Sequence, residues 1–158
     1  MTELCAQIVN KLIDKGLTLS CAESCTGGLI AKSITDIPGC SSVFYGGVVS
    51  YDNSVKMDIL GVKEQTLASF GAVSYETATE MALGVKRALK TDIGISTTGI
   101  AGPGGGTPTK PVGTVYIGIA VFDNVQSIRL SINENFSREQ IRQEACKQIL
   151  TLLLEKLG

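Results

Sequence analysis

Two hydrophobic periods alternate along the chain, and the points where one gives way to the other divide it into helices and strands. Leu4, Ile8, Leu12 and Ile13 recur at helical spacing, which predicts a helix over residues 4–15, capped by Thr2 and closed by Gly16. Residues 17–21 (Leu-Thr-Leu-Ser-Cys) read as a buried strand. Leu29, Ile30, Ala31 and Ile34 then mark a helix capped by Thr26 and ended by Asp36-Ile37-Pro38-Gly39. β-Branched and aromatic residues fill 43–51, a strand interrupted by Gly46-Gly47. Short helices over 55–60 and 64–70 are closed by Gly61 and Gly71, and Ser74 caps a longer helix over 75–90. Residues 92–98 form a strand, and 114–121 with 125–132 form an antiparallel hairpin about Phe122-Asp123-Asn124. Ser137-Arg138-Glu139-Gln140 is a capping-box pattern that opens a last helix ending near Leu157.

Strands alternating with helices ahead of a terminal hairpin predict an α/β fold, a single three-layer α/β/α domain with a mixed sheet over residues 1–158. The pattern lapses between 99 and 113, where six of the eighteen glycines and three of the four prolines fall, so a long surface loop is expected. Fourteen Lys and Arg against fifteen Asp and Glu leave a net charge of −1, which offers no basic face to nucleic acid or anionic lipid. The apolar runs are too short for a membrane span. Five cysteines, an odd number without CxxC spacing, suit free thiols in a reduced cytoplasmic setting.

The composition narrows the chemistry most by a zero: the chain has no histidine. Ser-His-Asp and Cys-His catalysis are closed to a single subunit, as are the common histidine zinc sites. Neither a metal nor a cofactor is expected. A base working near neutral pH must be a carboxylate, a lysine of lowered pKa, a tyrosine, or water held by them. Ala22-Glu23-Ser24-Cys25-Thr26-Gly27-Gly28 joins a strand to a helix start, and Ser24 is the candidate nucleophile there. Lys56, five residues past Tyr51, is the candidate base. Tyr51 either orients Lys56 or passes a proton to a leaving amine. Backbone amides of Thr26, Gly27 and Gly28, or of the Thr98-Gly99 turn, are candidate oxyanion donors.

Thr98 and Gly99 end a strand, where open α/β sheets bind ligands, and the glycine-rich run Gly99-Ile100-Ala101-Gly102-Pro103-Gly104-Gly105-Gly106 has amides that suit a phosphate. The run lacks GxxxxGK[ST] and reads equally as a plain loop. Arg138 and Arg142 share a helix face near its N-terminus. They either grip a phosphate or pair with Glu134, Glu139 and Glu144. Cys25 is read as a packed or peripheral thiol, with no histidine to activate it. Glu23 is read as a general base or as a partner for a cationic or amide-bearing ring.

The seven residues around Ser24, with Phe44-Tyr45-Gly46-Gly47-Val48-Val49-Ser50-Tyr51-Asp52-Asn53 and Lys56, resemble the CinA C-terminal domain family. Gly71-Ala72-Val73-Ser74, Thr98-Gly99-Ile100-Ala101-Gly102-Pro103 and Lys110-Pro111-Val112-Gly113-Thr114-Val115 extend the likeness over essentially the whole chain. The resemblance implies a nicotinamide-nucleotide amidohydrolase, which converts nicotinamide mononucleotide to nicotinic acid mononucleotide and ammonia in pyridine-nucleotide recycling. It puts the nucleophile on Ser24, the active-site tyrosine on Tyr51, the lysine on Lys56, the small hydroxyl residue on Thr98 and the arginine on Arg138, with Arg142 as the alternative. It also implies a homodimer. Two other functions fit the same residues, a nucleotide-binding protein without turnover and a serine amidase for another amide.

Overall fold

The computed structural model describes residues 1–158. In chain order the elements are α1 (Thr2–Lys15), β1 (Leu19–Glu23), α2 (Leu29–Thr35), β2 (Phe44–Val49), α3 (Asn53–Asp58), α4 (Glu64–Phe70), α5 (Tyr75–Leu89), β3 (Ile93–Gly99), β4 (Val115–Val121), β5 (Asn124–Arg129) and α6 (Arg138–Leu157). The five strands form one mixed sheet in the order β2-β1-β3-β4-β5. β1 runs parallel to both β2 and β3, while β4 pairs antiparallel with β3 and β5. No helix is long and apolar enough to cross a membrane.

The two faces of the sheet are packed by different means. On one, Leu19, Cys21, Ile93, Ile95, Ile117 and Ile119 meet Ile8 and Leu12 of α1, Ile30 and Ile34 of α2, and Ile149 and Leu150 of α6 in a continuous apolar core. The neighbouring positions Ser20, Gly94 and Ala120, and Ala22, Ser96 and Gly118, paired across β1, β3 and β4, give the other face small side chains. α5 settles directly onto it. A Cβ on Gly94 would lie 2.3 Å from the Ala82 carbonyl oxygen, and one on Gly118 would lie 2.4 Å from that of Ala78. Ser96 Oγ donates to the same Ala78 oxygen at 2.5 Å. Large residues on one face and near-absent ones on the other put α5 much closer to the sheet than a leucine-lined interface would allow.

Local structure departs from the sequence pattern where backbone geometry overrides it. Thr2 lies inside α1, and Met1 takes the cap position without a side-chain bond. α2 begins at Leu29 rather than just after Thr26, because Gly27 and Gly28 take φ of 58° and 98° and delay the helix. The hairpin turn is only Phe122-Asp123, with Val121 paired to Asn124. β5 stops at Arg129 instead of continuing to Ile132. Just past its end, Leu130 N–H still donates to Val115 O at 2.8 Å. A 3₁₀ turn over Cys40–Ser42, absent from the sequence reading, follows Gly39. The expected capping box is present: Gln140 N–H donates to Ser137 Oγ, and Ser137 N–H donates to Gln140 Oε1.

The turn from β1 into α2 is built around Glu23, which is 1% exposed. One carboxylate oxygen accepts from Thr26 Oγ1 (2.7 Å), Gly28 N–H (3.0 Å) and Ile30 N–H (3.1 Å), and the other from Ala31 N–H (2.9 Å). Glu23 therefore does the capping that the pattern assigned to Thr26, from five to eight residues upstream. Two stability outcomes follow from this packing. Gly94→Ala should cost about 1–3 kcal/mol, because a methyl group must displace the α5 backbone. Glu23→Ala should cost at least about 3 kcal/mol, since it strands several buried donors at once. Urea denaturation of each variant against the parent measures both; a cost below 0.5 kcal/mol in either case contradicts the corresponding packing assignment.

Candidate active site

The three parallel strands end side by side, and the candidate residues sit just beyond them. Ser24 follows β1, Ser50 and Tyr51 follow β2, and Thr98-Gly99 closes β3. Pairing continues past the strand ends through Ser24 N–H to Thr97 O (2.9 Å) and Ser50 N–H to Glu23 O (2.8 Å). Those bonds fix the backbone of the Ser24 turn between its two neighbours. The location is the carboxyl edge of parallel strands, where open α/β sheets bind ligands.

Asp52 caps α3 through its side chain, Oδ1 accepting from Ser54 N–H at 2.8 Å, and the first turn of that helix carries Lys56 back beneath the sheet edge. Lys56 is 1% exposed. Its Nζ lies 3.2 Å from Ser24 Oγ, 2.7 Å from Ser50 O and 3.5 Å from Tyr51 O. No carboxylate comes within 4 Å of it. Burial lowers the Lys56 pKa below its ordinary 10.5, with Asp52 and then Cys25 pulling the other way. The arrangement thus holds an amine of reduced basicity against a serine hydroxyl, in a position to exchange a proton with it.

Beside this pair lies a cavity of about 290 Å³, lined by Ser24, Cys25, Tyr51, Asn53, Lys56, Ala72, Val73, Thr98, residues 99–102, Gly104, Gly105 and Arg138. Its volume is at the small end of the roughly 300–1,000 Å³ usual for small-molecule sites. Arg138 spans the opening, its guanidinium donating to Gly102 O at 2.7 Å and to the Tyr51 hydroxyl at 2.5 Å. The Thr98 hydroxyl donates to Ala72 O at 2.6 Å and so ties β3 to the segment ahead of α5.

Not all the sequence candidates gather here. Ser24, Tyr51, Lys56, Thr98, Gly99, Gly102 and Arg138 line the cavity; Thr26, Gly27, Gly28 and Arg142 do not. The Thr26 hydroxyl is buried between Glu23 and Thr97. Arg142 reaches the rear of the turn, donating to Thr26 O at 2.8 Å, with one nitrogen 3.1 Å from where a Gly27 Cβ would stand. It is therefore Arg138, and not Arg142, that faces the cavity. Gly27 and Gly28 amides are already committed to Ser24 O and Glu23, whereas those of Cys25 and Thr26 donate to no protein acceptor. Glu23, read from sequence as a base or ring partner, is instead saturated by the α2 amides and by Thr26.

Cys25 is 5% exposed, and burial pushes its thiol up to about 12, far from the reactive range. No three His, Cys, Asp or Glu side chains cluster in a way that could hold a metal ion. The sequence reading missed Asn53, Ala72 and Val73 as cavity wall. Their common signal is position, each lying next to a strand or helix end at this edge of the sheet.

The CinA C-terminal domain model matches residues 1–157. A CinA-like protein from Leptospira borgpetersenii serovar Hardjo-bovis (strain L550) is 53% identical over 154 residues, which is 96% of this chain and 36% of that protein. The chain thus spans about a third of the length of that curated relative. Among solved structures, the competence/damage inducible protein CihA from Agrobacterium tumefaciens superposes with a TM-score of 0.94 at 41% identity, over 98% of this chain and 93% of that one. A CinA superfamily protein from Klebsiella pneumoniae 700603 gives a TM-score of 0.94 at 31% identity, over 99% and 96% of the two chains. With a family match over nearly every residue and the same fold in its relatives, the chain belongs to the CinA C-terminal domain family.

Proposed function

We propose that the chain is a serine amidohydrolase that deamidates nicotinamide mononucleotide to nicotinic acid mononucleotide and ammonia. The observation that carries the reading is Lys56 Nζ, buried without a carboxylate partner, 3.2 Å from Ser24 Oγ in a chain with no histidine. The substrate assignment rests on the family likeness at Ser24, Tyr51, Lys56, Thr98 and Arg138.

In this mechanism neutral Lys56 takes the Ser24 proton as Oγ forms a bond to the carboxamide carbon. The resulting oxyanion is met by the free amide of Cys25, which lines the cavity, such a donor being worth roughly 2.7–4 kcal/mol in comparable sites. Collapse breaks the C–N bond, and Lys56 returns its proton to the departing ammonia. Water then loses a proton to Lys56 and attacks the acyl ester. The C–O bond breaks, Ser24 is reprotonated, and nicotinic acid mononucleotide leaves. Arg138 exchanges its bonds to Gly102 O and the Tyr51 hydroxyl for the 5′-phosphate, which suits a guanidinium's paired donors. Tyr51, freed from Arg138, orients the amine end of the substrate.

Ammonia release from nicotinamide mononucleotide tests the reading. Ser24→Ala and Lys56→Ala should each lower kcat at least about a thousandfold, as removal of a nucleophile or its base does elsewhere. Persistent turnover in Ser24→Ala sinks the nucleophile. Binding by the parent without ammonia release would favour a nucleotide-binding role, and release from another amide alone would favour a different amidase. The pH profile is a second check. Lys56 must be neutral to act, so kcat/KM should rise with pH through one ionisation, at a pKa below the ordinary lysine value of 10.5. A rate independent of pH from 6 to 10 contradicts Lys56 as the base.

A further inference from the structure

The connection between α4 and α5 has no regular structure, yet Ala72 and Val73 form part of the cavity wall. It is held by side chains, because every carbonyl from Phe70 to Val73 accepts a side-chain hydrogen. Ser74 Oγ and Thr77 Oγ1 donate to Gly71 O at 2.9 and 2.7 Å, and Thr98 Oγ1 to Ala72 O. The remaining two carbonyls, of Phe70 and Val73, are served by one group, Lys110 Nζ, at 2.9 and 2.6 Å.

Lys110 is the donor that comes from the glycine-rich loop. Its backbone is pinned by Thr107 N–H to Lys110 O (2.8 Å) and by Lys110 N–H to Thr107 Oγ1 (3.0 Å). No carboxylate lies within 4 Å of its ammonium, whose charge rests on the C-terminal end of α4, the favourable pole for a cation. The loop it leaves contributes Gly102, Gly104 and Gly105 to the same cavity. Between Gly102, held by Arg138, and Gly113, held by Ile100, Lys110 provides the tie that joins this loop to the other wall.

We propose that Lys110 is a positioning residue, a strap that fixes the glycine-rich wall against the 70–73 wall and so sets the geometry that grips substrate. The proposal rests on the amidohydrolase reading for its kinetic consequence. A run of glycines left free must be ordered when ligand binds, at the expense of affinity, and two charge-assisted bonds remove much of that freedom in advance. Lys110 does not line the cavity and touches neither Ser24 nor Lys56. Its loss therefore weakens binding more than it slows the chemical step.

The test compares the full chain with Lys110→Met and Lys110→Arg. Lys110→Met should raise KM for nicotinamide mononucleotide about tenfold while kcat falls less than about threefold, and Lys110→Arg should recover most of the loss. Amide hydrogen exchange of residues 102–106 should quicken in Lys110→Met and not in Lys110→Arg. A KM within twofold of the parent, or exchange unchanged in Lys110→Met, overturns the strap. If the parent itself releases no ammonia, the amidohydrolase reading fails by itself. Faster exchange in Lys110→Met would then still support the strap, and unchanged exchange would overturn it.

Discussion

A carboxylate buried without a cation is the constraint on which the site edge depends. Glu23 closes β1 and accepts from the amides of Gly28, Ile30 and Ala31, the Thr26 hydroxyl and the Cys21 thiol, so it is met by a helix N-terminus and not by a salt bridge. Because the acceptor sits in the strand and the donors sit at the start of the next helix, the intervening residues must fold back sharply. Gly27 and Gly28 permit that path with positive φ. Ser24 is left at the outside of the bend, while Cys25 and Thr26 turn inward. The same bonds consume the Gly28 amide, while that of Cys25, beside the cavity, donates to no protein acceptor.

The second element of the site is an amine kept out of water. α3 is only six residues long, Asn53–Asp58, and Asp52 caps it so that Lys56 returns to the sheet edge instead of pointing to solvent. Desolvation is the largest influence on that amine, and Asp52, from an exposed position, pulls the other way without overcoming it. Two carbonyl oxygens hold the nitrogen in place without neutralising it. A lysine paired with a carboxylate would remain an ammonium, so the absence of such a partner within 4 Å is what suits Lys56 to proton transfer.

Helix and strand identities were largely legible in the sequence because their periods were strong and their caps conventional. The Ser74 cap and the Ser137–Gln140 capping box can be read directly from the letters. The start of α2 was not legible, since its cap is a glutamate in the preceding strand, and no short-range rule looks there. Residues at strand ends, Ser24, Tyr51 and Thr98, were found because topology brings such ends together. Arg138 and Arg142 could not be separated by spacing. They share a helix face, and only the path of the β1–α2 turn sends one to the cavity and the other behind Gly27. Lys110 stood in the sequence only as the start of the Lys110–Val115 motif, and its contacts were not legible, because its two acceptors lie about forty residues away in the chain.

The most direct measurement of the central claim is a search for the acyl-enzyme. The protein is mixed with nicotinamide mononucleotide, quenched in acid within a turnover, digested, and mapped by mass spectrometry. An adduct equal in mass to the substrate less ammonia, on Ser24 in the peptide that also contains Cys25, is the predicted result. Rapid turnover with no adduct on any residue, or an adduct on Cys25, would contradict Ser24 as the nucleophile.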